Sequence, residues 1–77
     1  MLFVVQKEYG IYTEFITLGQ LIKAIGLIGM GGEIREFLYE NEVKINGELD
    51  KRRGRKIRVG DVVEVMGEEY RIIERVR

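Results

Sequence analysis

The stretch VKINGELD, residues 43–50, decides how this chain folds. Its first three residues alternate apolar, charged and apolar, which is the period of a strand with one buried face. Asn46-Gly47 then supplies the residue pair that is typical of a tight reverse turn of the primed type, in which both residues adopt a positive φ. The sequence therefore predicts that an antiparallel β-ribbon begins at residue 43.

Strand and turn signals continue from this stretch toward the C-terminus. Apolar β-formers and glycine turns follow one another in the order Ile57 and Val59, the turn Gly60-Asp61, the strand Val62–Val65, the turn at Gly67 and the strand Tyr70–Ile73. Short apolar runs bounded by such turns are typical of short strands. We expect the C-terminal part of the chain to form the rest of a small sheet.

Toward the N-terminus, a first helix is predicted to begin after Thr17. Thr17 and Gln20 have the spacing of a capping box, in which each satisfies a backbone N–H group of the other. Apolar residues then recur at helical spacing, at Leu18, Leu21, Ile22 and Ile25. The helix is expected to end near Gly26.

A second helix is predicted from Ile34, Phe37 and Leu38, with Asn41 as its stop. The segment GLIGMGG, residues 26–32, is expected to be the turn between the helices, because glycine is costly inside one. Either Gly26 or Gly29 is expected to cap the first helix in a left-handed conformation. The segment lacks the lysine and hydroxyl residue of a phosphate-binding P-loop, which argues against nucleotide binding.

The first residues favour strands, since Leu2–Val5 and Ile11–Ile16, around Tyr9-Gly10, are rich in β-branched and aromatic residues. Their number, one or two, stays open. The chain has no proline, no internal repeat and no linker, so residues 1–77 are expected to form one α+β domain: two packed helices, a short antiparallel β-ribbon, and N- and C-terminal strands.

The composition excludes several classes of function. The 77 residues include no cysteine and no histidine, which excludes disulfides, thiolate or imidazole catalysis and the usual zinc and haem ligand sets. The apolar start is too short for a signal peptide or a membrane span, so a cytoplasmic protein is expected. Glu68-Glu69 are adjacent and are not expected to act as a general acid and base pair. No catalytic residue, metal site or cofactor is predicted.

The run KRRGRKIR, residues 51–58, is the main functional signal. It places six of the 13 cationic side chains in eight positions, although the formal net charge of the chain is zero. Such a cluster of like charge favours an anionic partner, and phosphate relieves the repulsion most directly. The alternative is a solvated loop whose charges are offset by Glu48, Asp50 and Asp61.

From about Thr17 to Val65 the sequence resembles the S4-type RNA-binding domain. The resemblance lies in the order of helix, glycine turn and helix, followed by EVKINGELD, a basic segment and VGDVVEV. It is closest to the small stand-alone bacterial members, which have counterparts of ITLGQLIK and DKRRGRKIRVGD. The resemblance implies an αL fold that docks a basic surface on structured RNA, often ribosomal or transfer RNA, without a reaction of its own.

This chain departs from the family pattern where the second helix starts, because Met30, Gly31 and Gly32 replace the usual small polar residue and arginine. The resemblance carries a phosphate-contact role to Arg35, one turn further on. Lys44, beside the turn, is a weaker candidate.

These observations lead to one hypothesis for the site. Most phosphate contacts are expected from Arg52, Arg53, Arg55 and Lys56, with an extended patch formed by Lys51, Arg58, Arg35, Lys23 and Lys44. Without an obvious aromatic platform, shape should matter more than sequence in the RNA. Of the four tyrosines, Tyr9, Tyr12, Tyr39 and Tyr70, at least three are expected to cover the core. We expect a monomer that acts on folded RNA or on ribosomal particles.

Two alternatives stay open. The basic run and an exposed β-edge are also typical of a protein-interaction module with an acidic partner. Phosphate contacts alone do not separate RNA from DNA.

Overall fold

The computed structural model describes residues 5–29 and 33–76, which form two short helices and seven strands. In chain order these are β1 Val5–Ile11, β2 Ile16–Thr17, α1 Leu18–Ala24, α2 Ile34–Glu40, β3 Val43–Ile45, β4 Glu48–Leu49, β5 Lys56–Ile57, β6 Val62–Val65 and β7 Glu68–Glu74. The α+β class expected from the sequence is therefore present. Within the described ranges, neither helix has the length and apolar character needed to cross a membrane.

The strands form one sheet of five and one of two. The larger sheet has the order β1-β7-β6-β3-β4, in which β1 and β7 are parallel and the other neighbours are antiparallel. The β3–β4 turn has φ values of 53° at Asn46 and 86° at Gly47, as the sequence predicts. The β6–β7 turn is of the same kind, with φ values of 51° at Met66 and 75° at Gly67. In the smaller sheet, β2 pairs with β5.

The core lies between the helices and one face of the large sheet. Its buried apolar residues are Ile11, Leu18, Leu21, Ile22, Ile34, Leu38, Val43, Ile45, Ile57, Val63, Val65, Tyr70 and Ile72. Successive strand residues face opposite ways, so the other face of the sheet carries the residues between them. There Glu64 lies beside Lys44 on one strand and Glu69 on the next, which gives this outer face a mixed charge.

Both ends of α1 are capped as expected. The Gln20 backbone N–H donates to Thr17 Oγ1 at 3.2 Å, and the Thr17 N–H donates to Gln20 Oε1 at 2.9 Å. At the other end Gly26 has a φ of 82°, and the N–H of Leu27 donates to the carbonyl of Ile22 at 3.2 Å. This is the Schellman arrangement, in which a left-handed glycine lets the chain leave the helix while its last carbonyls stay bonded.

The first strands have other bounds than the sequence suggested. β1 runs through Tyr9-Gly10, which lies between the two predicted runs, and the second run, Ile11–Ile16, is interrupted by a bend at residues 12–14. The reason is long-range, because β1 takes its register from parallel pairing with β7 at the other end of the chain. The expected strand residues 2–4 lie outside the described residues, as do Met30, Gly31 and Gly32.

The prediction for the tyrosines was wrong. Tyr70 is buried and Tyr9 packs against the core, but Tyr12 is 51% exposed and Tyr39 is 80% exposed. Tyr12 lies in the bend after β1, and Tyr39 follows the buried Leu38 on α2, where its ring turns toward solvent.

Candidate nucleic-acid interface

Residues 51–58, called the basic loop from here on, are fixed by their main chain to the start of α1. The carbonyl of Arg53 accepts the N–H of Gly19 at 2.8 Å, and the carbonyl of Arg55 accepts the N–H of Leu18 at 2.8 Å. Both N–H groups belong to the first turn of the helix, where no intrahelical partner exists. Farther along, Lys56 pairs with Thr17 between β5 and β2. The backbone of the basic loop is therefore part of the folded scaffold.

Gly19 allows this close approach. A Cβ atom at this position would lie 3.3 Å from the carbonyl oxygen of Arg53 and 3.5 Å from Cγ1 of Ile34. The first contact is tighter than most Cβ atoms make, so a side chain at this position would require the loop backbone to shift by a few tenths of an ångström. The start of α1, the basic loop and the first residue of α2 meet at this glycine.

Asp50 holds two of the arginines. Its side chain is only 8% exposed and accepts hydrogen bonds from Arg52 Nε at 3.1 Å, from Arg52 Nη2 at 2.8 Å and from Arg55 Nη1 at 3.0 Å. The backbone N–H of Arg52 adds a further bond at 2.9 Å. The Arg52 guanidinium is the main reason that the pKa of Asp50 lies well below its usual range. The offset by Asp50 that the sequence suggested is thus real for two of the six cations.

The other cations of the basic loop are free of carboxylate partners in the described part of the chain. They are Lys51, Arg53, Lys56 and Arg58, and none of them is in an ion pair. All four are exposed, and the Arg52 side chain, though paired, is still 72% exposed. Asp61, a predicted partner, instead accepts the backbone N–H of Arg58 at 2.8 Å and the Asn46 amide at 3.1 Å. The loop therefore presents a net positive surface to solvent.

One groove lies within this surface. It is lined by Arg52, Gly54, Arg55, Lys56 and Arg58. With four cations around it and no carboxylate in its lining, it is the place on the described surface that best matches a phosphate group.

Aromatic rings flank the basic loop, although no aromatic platform was obvious in the sequence. The Lys56 Nζ atom lies 4.9 Å and the Arg58 Cζ atom 5.8 Å from the centre of the Phe15 ring. On the other side, Lys51 Nζ lies 5.4 Å from the centre of the exposed Tyr39 ring. The sequence did hold one signal for Phe15: it precedes Ile16 in an extended segment, and Ile16 packs against the core. Phe15 must then face the opposite way.

The outlying candidates are placed differently from one another. Lys23 shares a groove beside α1 with Arg53 and Gly54, so it extends the basic surface. Arg35 is exposed on α2 next to Ile34, which lies near Gly19, but among the described residues no ion pair joins it to the basic loop.

Lys44 lies apart from the basic loop. It is on the outer face of the sheet, opposite the core, in a groove that also contains Glu42 and Glu64. The turn at Asn46-Gly47 therefore does not aim Lys44 to the side of the cationic run.

Glu68 and Glu69 point to opposite faces of β7, as expected. Glu68 accepts from the Tyr70 hydroxyl and from Lys7 Nζ, the latter at 3.2 Å, whereas Glu69 accepts from the Gln6 amide at 3.3 Å. They do not form a pair of catalytic carboxylates. Within the described ranges, no three acidic side chains converge in a way that would hold a metal ion.

Comparison with known proteins gives two matches. The model of the S4 domain family matches residues 9–73. A Bacillus subtilis (strain 168) protein named probable ribosome maturation protein RlbA is 56% identical over 55 residues, which make up 71% of this chain and 78% of that protein. No solved structure matches the chain significantly.

Proposed function

The chain belongs to the S4 domain family, and from this premise we propose that it is a non-catalytic RNA-binding protein that docks its basic loop on structured RNA. The observation that carries the proposal is the contrast within this loop. Two of its carbonyl groups and two of its arginines are fixed by α1 and Asp50, while Lys51, Arg53, Lys56 and Arg58 have no carboxylate partner among the residues that the structure describes.

A fixed backbone with free cations suits a phosphate surface. Little conformational entropy of the backbone is lost when RNA binds, because the loop is already ordered by main-chain bonds at 2.8 Å to the first turn of α1. The contacts are expected to come chiefly from Arg53, Lys56 and Arg58, with Lys51 and Lys23 at the margins.

Ribosomal RNA is the target that we favour. The relative in Bacillus subtilis carries the name of a ribosome maturation protein, which supports ribosomal RNA, or a particle in assembly, over transfer RNA. On this proposal the protein acts in the cytoplasm as a monomer, reading the shape and phosphates of a folded RNA.

Pairing through a sheet edge has less support as an alternative. At one edge of the large sheet β4 has two residues, and at the other β1 exposes Gln6, Lys7 and Glu8. Very short and charged edge strands are how proteins avoid pairing with other chains.

The test is crosslinking in cells of the native host, followed by sequencing of the bound RNA. The variant Arg53→Gln/Lys56→Gln removes two free cations from the basic loop and leaves both partners of Asp50 in place. Its control, Lys44→Gln/Arg71→Gln, makes the same change in net charge on the outer face of the sheet. We expect one structured RNA to be enriched with the parent and the control and to be lost with the loop variant. Equal recovery with both variants, or enrichment of no RNA, would overturn the proposal.

A further inference from the structure

We propose that Phe15 is a stacking platform for one unpaired base of the bound RNA, with Lys56 and Arg58 holding the phosphates on either side of that base. This inference rests on the proposed RNA binding and deepens it, because it adds a contact to a base where the cations supply only contacts to phosphate.

The strand register places the ring beside the basic loop. In the β2–β5 pair Ile16 lies opposite Ile57 and Thr17 opposite Lys56. The same register, extended by one residue, sets Phe15 opposite Arg58 and diagonal to Lys56. Residues related in this way share a face of the sheet and contact one another. The ring and the two cations therefore form one surface.

Phe15 has no role in the core that would explain it. Its neighbour Ile16 packs against the buried cluster, whereas Phe15 is absent from that cluster and from the residues packed on it within the described chain. The ring is nonetheless only partly exposed, since it lies under Lys56 Nζ at 4.9 Å and Arg58 Cζ at 5.8 Å. The backbone at Phe15 is held in place as well, because Thr13 Oγ1 donates to the Phe15 carbonyl at 2.7 Å.

A base can take the place of the cations over this ring. Cation–π contacts at exposed sites are weaker than the stacking of a nucleobase on an aromatic side chain. The lysine and arginine side chains are long, so they can swing from the ring to the phosphates that flank a stacked base while staying close to it. This exchange converts two exposed cation–π contacts into one stacked base and two ion pairs.

The surroundings of the ring offer partners for the edge of a base. A shallow groove beside it is lined by Thr13, Glu14, Phe15, Ile16, Gln20 and Ala24. The Glu14 carboxylate can accept from an exocyclic amino group. Gln20 uses Oε1 to accept the Thr17 N–H at 2.9 Å, which leaves its amide N–H groups as donors. Apolar walls with a few polar groups are what a stacked base requires.

The consequence is a preference for RNA with an unpaired nucleotide at the docking site. A paired duplex hides its base faces, so it can engage the cations but not Phe15. The expectation that shape and phosphate alone govern binding would then hold only for duplex RNA.

The test compares two RNA hairpins that differ by a single bulged adenosine, with dissociation constants measured for the parent protein and for Phe15→Leu. We expect Phe15→Leu to weaken binding of the bulged hairpin about tenfold and to leave binding of the fully paired hairpin unchanged. The dependence of affinity on salt should be the same in parent and variant, since stacking releases no counterions.

Phe15→Trp is the matched control. The chain has no tryptophan, so this residue would be a unique fluorophore. We expect it to retain binding of the bulged hairpin and to lose fluorescence when that RNA binds but not when the paired hairpin binds. Thermal unfolding of both variants checks that the fold is intact.

The outcomes separate the two proposals. Parent-like binding of the bulged hairpin by a folded Phe15→Leu, or an equal loss on both hairpins, would overturn the stacking proposal. If Arg53→Gln/Lys56→Gln weakens binding of both hairpins in the same experiment, the proposal of RNA binding stands even when the stacking proposal is overturned. If the parent protein binds neither hairpin, both proposals fall.

Discussion

A single carboxylate, Asp50, orders the start of the basic loop. It receives bonds from the backbone and guanidinium of Arg52 and from the guanidinium of Arg55, at 2.8 to 3.1 Å. Its own N–H donates to the carbonyl of Val43 at 2.9 Å, so the same residue ties the loop to the sheet. The guanidinium groups of Arg52 and Arg55 both donate to Oδ2 of Asp50, so the carboxylate offsets the repulsion between them and holds this part of the loop in one shape before any ligand binds.

Replacing Asp50 with asparagine should destabilise the protein and make its free energy of unfolding depend less on pH in the acid range. The pKa of Asp50 is lowered in the folded state, mainly by the Arg52 guanidinium. Its contribution is therefore complete above the unfolded pKa of about 3.9 and is lost as pH falls below it. We expect Asp50→Asn to cost about 1 to 2 kcal/mol at pH 7, a difference that shrinks below pH 4. Urea unfolding at several pH values measures both effects.

Glu48→Gln is the control for Asp50→Asn. Glu48 belongs to the same hairpin and takes part in no ion pair among the described residues. Its variant should unfold like the parent across the acid range. If the two variants behave alike, the carboxylate of Asp50 does not order the loop.

For single residues, the sequence shows which side chains are present, but it does not show which other side chains they contact. The six cations of the basic loop are visible in the sequence, but which of them Asp50 would hold depends on how the loop turns back on itself. Phe15 was missed because its role comes from pairing with a segment some 40 residues away. Lys44 was expected near the loop, yet the alternation of β3 puts it on the outer face. Local spacing cannot report which face of a sheet a loop covers.

Among the elements, α1 links the fold to the candidate site. It has only seven residues, and an isolated helix of this length is unstable in water. Its buried residues, Leu18, Leu21 and Ile22, hold it on the sheet, and its first N–H groups are satisfied by Thr17 and by the basic loop. Helix and loop therefore depend on each other.

Thr17→Ala should loosen this junction. It removes the hydroxyl that accepts the Gln20 N–H at 3.2 Å, and loss of such a cap costs about 1 kcal/mol. Thr17→Ser keeps the hydroxyl and should cost much less. The midpoint of urea unfolding distinguishes the two variants. Equal midpoints would mean that the capping box contributes nothing.

The junction of β1 and β7 contains the other strongly perturbed group. Tyr70 is 6% exposed, and its hydroxyl donates to Glu68, which also accepts from Lys7. Burial, and then the bond to Glu68, raises the pKa of Tyr70 to about 12. The neutral phenol is thus favoured in the folded state, and its contribution is complete below the unfolded pKa of about 10.

Tyr70→Phe should therefore make the free energy of unfolding fall less steeply as pH rises above about 10. As pH rises from 10 to 12, the parent must either ionise a buried phenol or unfold, and its free energy of unfolding should fall more steeply than that of the variant. Urea unfolding at steps through this range measures the slopes. Tyr39→Phe, which alters a ring that is 80% exposed, should retain the parent slope. A Tyr70→Phe slope equal to the parent's would contradict the assignment.

The sequence predicted the elements that form through interactions between residues close together in the chain. The capping box, the left-handed Gly26 and the turn at Asn46-Gly47 depend on neighbours within a few residues, and all three are present. The extent of β1 and the short strands β2 and β5 depend on pairing between distant segments. No local pattern carries that information.

For the whole molecule, the distribution of charge matters more than its sum. The formal net charge is zero, yet no carboxylate of the described residues lines the groove of the basic loop, while the outer face of the sheet mixes Lys44 and Arg71 with Glu8, Glu64 and Glu69. A neutral total keeps non-specific attraction to nucleic acid weak at long range. Attraction should then act mainly near the loop, where the Debye length of about 8 Å in physiological salt confines it.

This separation predicts how affinity depends on salt. If four to six phosphates are neutralised, log K for the bound RNA should fall against log salt with a slope of about −3 to −5. Arg53→Gln/Lys56→Gln removes two contacts and should make the slope shallower by about 1.5 to 2. Lys44→Gln/Arg71→Gln changes the net charge equally but on the outer face, and should leave the slope unchanged. The two variants separate contact by the loop from the effect of overall charge, because an effect of overall charge would change both slopes equally. A parent affinity that does not depend on salt would exclude phosphate binding as the source of that affinity.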